Sequence, residues 1–350
     1  MYRPEEGLFV FRLRRTANGI VPEGLSRRYT AIALIGLCGE DEAAACSVIK
    51  GRTRRDLAAQ LLADGGRMDT VGDLGLILWA AHAAGVGGRD QVLERLLGLR
   101  PVERTYPAVE LAWVLTALSL DPAAKVGDLR ERLAHRLIAS LDRRSGLFPH
   151  VLGDGRFVRS HVSCFADLVY PVQALARYHQ LTGERAALEA ARRCGEQICR
   201  AQGPAGQWWW HHDLRTGRVV EPYPVYAVHQ DAMAPMALFA LEEAGGGDFS
   251  SAVWRGLAWL MSSPELGGRS LVDEESGLIW RKVARREPGK LSRYVQAAAS
   301  RLHPALRVPG LDVLFPPHAV DHEDRPYHLG WLLHAWPSPA NGQPPVEAPL

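Results

Sequence analysis

The fold is decided by residues 166–201, which read ADLVYPVQALARYHQLTGERAALEAARRCGEQICRA. Apolar residues recur at helical spacing over residues 166–181, and Thr182-Gly183 interrupts the pattern. A second helical pattern covers residues 186–201. Two helices that each carry one apolar face form a hairpin that cannot bury both faces alone. The stretch therefore predicts further helical hairpins stacked beside it.

Paired helical patterns recur on both sides of this stretch. The other predicted helices span residues 27–37 after an N-cap at Ser26, 54–62, 73–84, 90–97, 107–118, 129–141, 231–243, 250–261, 292–302 and 327–336. Three hairpins end on a glycine followed by apolar residues, at Gly146, Gly206 and Gly277. We expect an all-α protein in which about five to six hairpins close into an α/α toroid, with an open α-solenoid as the alternative.

The two ends of the chain differ from the helical part. Residues 1–24 predict a short extended segment, because Leu8–Leu13 is strand-like and Ala17-Asn18-Gly19 is a turn signal. Residues 25–336 are expected to form the single toroid domain. Residues 337–350 form a proline-rich tail, which we expect to be frayed.

Composition excludes several classes of protein. The chain of 350 residues has 41 basic and 39 acidic side chains, and this balance argues against a nucleic-acid partner. No run of 18 apolar residues is present, so we expect no membrane span. The first 15 residues carry charges throughout, so we do not expect a signal peptide there. The five cysteines lack CxxC spacing, which favours a reduced, cytoplasmic protein. The oligomeric state is left open.

Two segments resemble the six-hairpin glycosidase-like proteins, which include sugar epimerases and unsaturated uronyl hydrolases. Residues 167–183 carry Tyr170, then Ala174-Leu175, then Tyr178 and Thr182-Gly183 in the order found in helices of that group. Residues 231–235, Asp-Ala-Met-Ala-Pro, are similar to the start of an inner helix in the uronyl hydrolases. The resemblance implies an α/α toroid and acid/base chemistry on a sugar or a uronic-acid-containing substrate.

Two other segments partly resemble the QW repeats of terpenoid cyclases and prenyltransferases. Residues 202–208 match QxxxGxW, and residues 255–260 match the first half of that repeat. The chain departs from this group because it has no DxDD run and no DDxxD run. The resemblance implies a toroid too, with isoprenoid processing as an alternative function.

Aromatic and titratable residues are concentrated in one loop. Trp208, Trp209 and Trp210 are followed directly by His211, His212 and Asp213. Adjacent residues point in different directions, and buried indole and imidazole groups need hydrogen-bond partners, so these six cannot all be core. We expect the tryptophans to form a cavity wall that binds a sugar ring. The alternative is a tryptophan-rich wedge between helices.

The main acid/base candidates lie where the helix 231–243 begins. His229 and Asp231 follow Tyr223 and Tyr226, and Pro235 requires that the helix starts close to Asp231. In a closed α/α ring the inner helices start at the mouth of the cavity. We therefore expect His229 and Asp231 to transfer protons, with His211, His212 and Asp213 opposite them and the two tyrosines in the aromatic wall. The alternative role of Asp231 is helix capping.

Further candidates for substrate binding surround a second helix start. His161 and Asp167 precede or open the helix that starts near residue 166. Arg159 and Arg281 lie in loops near the glycine endings, as do Arg156 and Arg285, and guanidinium groups recognise carboxylates. The alternatives are capping for Asp167 and solvated surface charges for the arginines.

Three functions are left open by the sequence. The first is a carbohydrate-active enzyme that works by hydrolysis, elimination or epimerisation on a small-molecule or glycan substrate. The second is an isoprenoid-processing protein, and the third is a non-catalytic helical binding scaffold. We expect no metal and no cofactor, because the chain has no metal-ligand spacing, no Walker loop and no Rossmann fingerprint.

Overall fold

A computed structural model describes residues 1–121, 126–153 and 159–338. Most of this part of the chain is helical. The α-helices are α1 (Arg27–Leu37), α2 (Glu42–Val48), α3 (Arg54–Gly65), α4 (Val71–Ala83), α5 (Asp90–Gly98), α6 (Ala108–Leu120), α7 (Gly127–Ser140), α8 (Phe165–Thr182), α9 (Arg185–Arg200), α10 (Ala234–Glu243), α11 (Ser250–Met261), α12 (Leu291–Leu302), α13 (Leu311–Leu314) and α14 (Pro326–Ala335). A π-helical turn (His229–Met233) leads into α10, and a 3₁₀ turn (Pro264–Leu266) follows α11.

Six helices form a closed inner ring within the described residues. Their order around the ring is α1, α4, α6, α8, α10 and α14, and α14 packs against α1 to close it. Helices α3, α5, α7, α9 and α11 pack on the outside of this ring. The expected α/α toroid is therefore confirmed, with five complete hairpins and a last inner helix that closes the circle.

The inner helices form because they are apolar nearly all the way round. Ten of the 13 residues of α4 are buried, and α6 has the same pattern. A helix of this kind is stable only when other helices surround it. The ring closes tightly where Gly36 of α1 meets Gly330 of α14. A Cβ atom on Gly36 would lie 2.2 Å from the carbonyl oxygen of Gly330, so only glycine allows this approach.

Short strands connect the helices. They are β1 (Tyr2–Arg3), β2 (Leu8–Thr16), β3 (Gly19–Leu25), β4 (Tyr106–Pro107), β5 (Val151–Leu152), β6 (Val162–Cys164), β7 (His211–Asp213), β8 (Val219–Glu221), β9 (Val225–Tyr226), β10 (Val272–Asp273), β11 (Leu278–Ile279), β12 (Lys282–Ala284), β13 (Ala319–Asp321) and β14 (Glu323–Asp324). The antiparallel sheets join β1, β2, β3 and β14; β6, β7 and β8; β9, β12 and β13; β4 and β5; and β10 and β11. The extended N-terminal segment is thus a hairpin that also pairs with β14.

The strands mark one end of the ring. Strands β4, β6, β9 and β14 each run directly into an inner helix or the π-helical turn before α10. The N-terminal ends of the inner helices therefore meet at one mouth, where strand side chains reach them. This arrangement positions the candidate site.

Three features differ from the sequence-based expectation. Helices α2 and α13 were not predicted, since both are too short to show a periodic pattern. The predicted helix at 231–243 begins with the π-helical turn, and Pro235 lies in the first turn of α10 behind it. Arg156 and residues 339–350 of the predicted tail lie outside the described residues. None of the described helices has both the length and the apolar character needed to cross a membrane.

Candidate active site

A cavity of about 430 Å³ opens at the mouth of the ring, beside the start of α8. Its polar and aromatic wall is formed by His150, Arg159, Cys164, Trp210 and His211. Val151, Val162 and Pro149 complete an apolar floor. A concave, largely apolar site with a few convergent polar groups is the usual setting for a small-molecule ligand.

The turns at the glycine endings of the hairpins position side chains at this mouth. The three glycines, all with positive φ, are Gly146 (φ 73°), Gly206 (φ 99°) and Gly277 (φ 63°), and the residues four positions later are His150, Trp210 and Arg281. Glycine adopts this left-handed conformation without strain. At Gly206 a Cβ would also lie 2.0 Å from the carbonyl oxygen of Arg255. The repeated turn thus brings a different functional group to the mouth each time.

His150 is held by a buried carboxylate. Its Nδ1 donates to both carboxylate oxygens of Asp167 at 3.0 Å. Asp167 lies fully buried in the first turn of α8 and also accepts the backbone N–H of Cys164 at 2.7 Å. The hydrogen bond to Asp167 raises the pKa of His150. The side chain of His150 is 55% exposed, and because Nδ1 is engaged, Nε2 is the nitrogen that can reach a ligand.

Cys164 lies against the same pair. Burial of the thiol and the nearby Asp167 carboxylate raise the pKa of Cys164 well above its usual value. The thiol is therefore protonated near neutral pH and is not an activated nucleophile. The donor atoms of His150, Cys164 and Asp167 lie within 4.8 Å of one another, so this is where the described residues could hold a metal ion. The positive end of the α8 dipole disfavours a cation at this position.

Two arginines beside the cavity form no ion pair with a carboxylate among the described residues. Arg159 donates from Nη2 to Nε2 of His211 at 3.3 Å, and Arg293 lies over the ring of Trp210 at 4.7 Å. The Nε groups of both arginines are buried without a hydrogen-bond partner. Burial and these two cations lower the pKa of His211 well below its usual value, so this imidazole is neutral. Within the described residues, Glu287 acts on Arg293 only electrostatically, and neither guanidinium forms a direct ion pair.

His229 and Asp231, the predicted proton-transfer pair, are both buried and do not line this cavity. The ring of His229 packs 4.6 Å from Phe165 and 5.1 Å from Tyr226, and burial lowers the pKa of His229 to about 3. Asp231 instead accepts Nε2 of His328 at 2.8 and 2.9 Å. The two residues therefore have separate partners, and a catalytic role for either stays a prediction.

Of the other titratable candidates, one lines the cavity and the rest are bound to other parts of the protein. His211 lines the cavity, while His212 is turned away and donates to the carbonyl of Trp209 at 3.1 Å. Burial lowers the pKa of His212 to about 4. Asp213 forms an ion pair with Arg215 at 2.7 Å. His161 donates to the carbonyl of Ala297 at 3.2 Å and thereby ties β6 to α12.

Of the predicted aromatic wall, only part lies at the cavity. Trp210 lines the cavity, and Tyr226 packs edge-on against it at 5.0 Å. Trp208 is a core residue packed against Phe165. Trp209 and Tyr223 pack against each other on the other side of the loop, where the hydroxyl of Tyr223 donates to Glu265 at 3.1 Å.

Among the predicted arginines that the structure describes, only Arg159 lines the cavity. Arg281 lies over Tyr226 at 5.3 Å and is paired with Glu323 at 3.1 Å. Arg285 is buried in an ion pair with Glu221 at 2.8 Å. These two arginines already have acidic partners, so they are less suited than Arg159 to recognise an external carboxylate.

The sequence reasoning missed His150, Arg293 and His328. A signal for His150 existed, because it stands four positions after Gly146, as Trp210 stands four positions after Gly206. Arg293 and His328 had no such signal. They reach the site region on α12 and α14, which are remote in sequence from Trp210 and Asp231.

No family model matches the chain, and no curated protein matches it in sequence. Solved structures do match its fold. The unsaturated glucuronyl hydrolase from Bacillus sp. GL1, described as responsible for the degradation of glycosaminoglycan, has a TM-score of 0.56 at 13% identity, over 94% of this chain and 90% of that chain. A possible member of the GH105 family from Salmonella enterica has a TM-score of 0.56 at 11% identity, covering 95% of this chain and 88% of that chain.

A glycoside hydrolase of family 105 from C. acetobutylicum also matches, with a TM-score of 0.52 at 15% identity over 88% of this chain and 92% of that chain. At these identities the likeness shows the fold. The chain therefore shares the α/α-toroid fold of these glycoside hydrolases, as the resemblance at residues 167–183 implied. The partial QW resemblance to terpenoid cyclases stays a prediction.

Proposed function

We propose that the chain is a carbohydrate-active enzyme that carries out acid/base chemistry on a sugar bearing a carboxylate. One observation carries the proposal. A half-exposed histidine, oriented by the buried carboxylate of Asp167, faces a cavity beside two arginines that form no ion pair with an acidic residue among the described residues. The fold neighbours named for glucuronyl hydrolysis support the same substrate class.

His150 is the group best placed to move a proton. A histidine has a pKa near neutrality, so it can both donate and accept protons at physiological pH. The Asp167 carboxylate fixes which nitrogen faces the cavity and stabilises the charged imidazolium. No carboxylate lines the described part of the cavity wall, so the histidine is the proton donor or acceptor there.

The remaining wall suits an acidic sugar. The face of Trp210 can pack against the C–H groups of a sugar ring, as aromatic side chains do with apolar surfaces. Arg159 and Arg293 can form charge-assisted hydrogen bonds with a carboxylate. A ligand carboxylate would supply the direct ion pair that the described residues do not give these two groups.

The proposal is tested by assaying the purified chain for hydrolysis, elimination and epimerisation of uronate-containing di- and oligosaccharides. His150→Gln is expected to lower kcat/KM by about 10²–10⁴-fold, the usual contribution of a positioned acid or base. His135→Gln is the matched control. His135 lies on the outer helix α7 and does not line the cavity, but like His150 it contacts a carboxylate, that of Glu184 at 3.2 Å. Equal loss in both variants, or full turnover by His150→Gln, would refute the assignment.

The carboxylate part is tested separately with Arg293→Gln. Loss of one charge-assisted hydrogen bond is expected to raise KM for the uronate substrate about 10–100-fold. The same substrate with its carboxylate converted to a neutral methyl ester should bind wild type and variant almost equally. An equal effect on both substrates would show that Arg293 supports the wall of Trp210 and does not recognise the carboxylate.

The expected cytoplasmic location belongs to this proposal. It is supported by the five cysteines, all of which are free in the described structure. Free thiols are typical of a reducing compartment.

A further inference from the structure

Helix α12 buries polar side chains and exposes apolar ones, which is the reverse of an ordinary surface helix. Its buried polar residues are Ser292, Arg293, Gln296 and Ser300. Its exposed side carries Leu291, Tyr294, Val295 and Leu302, and Leu302 is 84% exposed. A surface helix normally buries its apolar face and exposes its polar one. The reversal requires an explanation for each face.

The buried polar face is explained by the cavity wall. Arg293 lies over Trp210, and the hydroxyl of Ser300 accepts Nε2 of His161 at 3.1 Å. Gln296 donates to the carbonyl of Leu306 at 2.8 Å and accepts the backbone N–H of Val308 at 3.0 Å. The buried polar face of α12 therefore contacts the site and the loop that leads to α13.

The exposed apolar face is large, and Tyr294 on this face lies under the guanidinium of Arg159, which is 5.7 Å from the centre of its ring. Of the 14 large hydrophobic side chains that the described chain exposes, seven lie between residues 291 and 314. On α13 the side chains of Val313 and Leu314 are 82% and 70% exposed. We call residues 291–314 the α12–α13 surface. Clustered exposed apolar groups of this kind mark interaction sites, whereas scattered single ones do not.

Exposed basic side chains lie within the α12–α13 surface and next to it in the sequence. Arg286, Lys290 and Arg307 are exposed, and none of them forms an ion pair with a carboxylate in the described structure. The exposed acidic group in the same region, Asp312, is paired with Arg285 at 2.7 Å. These three cations, called the positive rim below, thus accompany the exposed apolar side chains without an ion-pair partner in the described structure.

We propose that the α12–α13 surface docks on an anionic phospholipid membrane. Apolar side chains with flanking cations are the combination that binds at the interface of such a membrane, because the side chains enter the acyl boundary and the cations meet the headgroups. A second copy of the chain fits less well, since a symmetric contact would bring two positive rims together. Docking in this way places the cavity about one helix diameter, or roughly 10 Å, from the membrane surface.

The test is flotation of the full chain with vesicles of phosphatidylglycerol and phosphatidylcholine, compared with vesicles of phosphatidylcholine alone. We expect binding to the anionic vesicles, weakened by added salt. The double variant Val313→Asp/Leu314→Asp should bind them about tenfold or more weakly, because two apolar contacts are lost and like charges are added. Val48→Asp is the matched control, since Val48 is 47% exposed on α2, which is not part of the α12–α13 surface.

Thermal unfolding and turnover on a soluble substrate verify that each variant is folded. Equal vesicle binding by wild type and the double variant would overturn the proposal, as would the absence of binding to anionic vesicles. Sedimentation analysis decides the remaining case. A dimer that forms with rising concentration and is abolished in the double variant would show that a second copy, and not a membrane, covers this surface.

Discussion

Two histidine–aspartate pairs stand near the mouth of the ring and differ mainly in the exposure of the histidine. In both pairs a histidine nitrogen lies 2.8–3.0 Å from the oxygens of a buried carboxylate. The side chain of His150 is 55% exposed, whereas that of His328 is 4% exposed. The first pair faces the cavity, and the second is enclosed between α14 and the π-helical turn.

The difference shows that access to a ligand, and not the pairing itself, separates a catalytic candidate from a structural contact. The Asp167 hydrogen bond raises the pKa of His150. Burial acts to lower the pKa of His328, but the Asp231 carboxylate outweighs it and the pKa is raised. Both histidines are thus stabilised as cations. Only His150 can pass its proton to a molecule in the cavity.

The largest expected effect separates the two pairs by stability. His328→Ala leaves the carboxylate of Asp231 buried without a charged partner, which should cost about 3–5 kcal/mol of unfolding free energy. His150→Ala should cost less than about 1 kcal/mol, because His150 is half exposed and its removal lets water from the cavity reach the carboxylate of Asp167. Urea unfolding of both variants at pH 6 measures the two costs. Equal costs would remove the distinction between the pairs.

The pH dependence of the first measurement has a definite sign. The folded pKa of His328 is raised above its unfolded value, so the stability that the pair contributes is fully present below about pH 6.5. It is lost as the pH rises through the folded pKa. The difference between wild type and His328→Ala should therefore shrink at alkaline pH, and a difference that grows there would contradict the charged pair.

A smaller change in unfolding free energy is expected at Asp324, which lies beside the enclosed pair of His328 and Asp231. Asp324 is buried beside His328, one of its carboxylate oxygens has no partner, and burial raises the pKa of Asp324 to about 6. A carboxyl with a raised folded pKa costs stability once it ionises. Asp324→Asn should therefore stabilise the fold at pH 7.5 by about 1–3 kcal/mol.

The control for this prediction is urea unfolding of wild type and Asp324→Asn at acidic pH. Near pH 4 the folded wild type holds Asp324 protonated, so the difference between wild type and Asp324→Asn should fall to almost nothing. Asparagine keeps an oxygen that can accept the backbone N–H of Arg325, as Asp324 does at 2.6 Å. A stabilisation that is independent of pH would point to a change in packing and not to the buried charge.

The ring could be predicted from the sequence because its helices are regular. Helical spacing and glycine stops place α8 and α9 within one residue of their observed ends, and α11 matches at both ends. The π-helical turn could not be predicted, since its residues follow the same spacing as the helix behind it. It is fixed by contacts such as that of Asp231 with His328, 97 residues away.

The candidate site was predictable only in part for the same reason. The loop with Trp210 and His211 could be identified from its composition, but which of its six aromatic and titratable residues face the cavity depends on strand pairing between β6, β7 and β8. The positive φ at Gly146 and Gly206 gives the missing rule for His150. The pairing of Asp231 with His328 instead of His229 depends on ring closure, which no local pattern encodes.

The smallest expected effect tests whether Asp167 tunes His150 as the geometry indicates. Asp167→Asn keeps the size of the side chain and an acceptor for the N–H of Cys164, but removes the negative charge beside Nδ1. Because the carboxylate raises the pKa of His150, its removal should move the limb of the kcat/KM–pH profile that reports His150 to lower pH. The direction is the same whether His150 acts as acid or base, since its pKa falls in both cases. A profile that keeps its position while kcat/KM drops would mean that Asp167 only orients the ring, and a shift to higher pH would contradict the proposed pair.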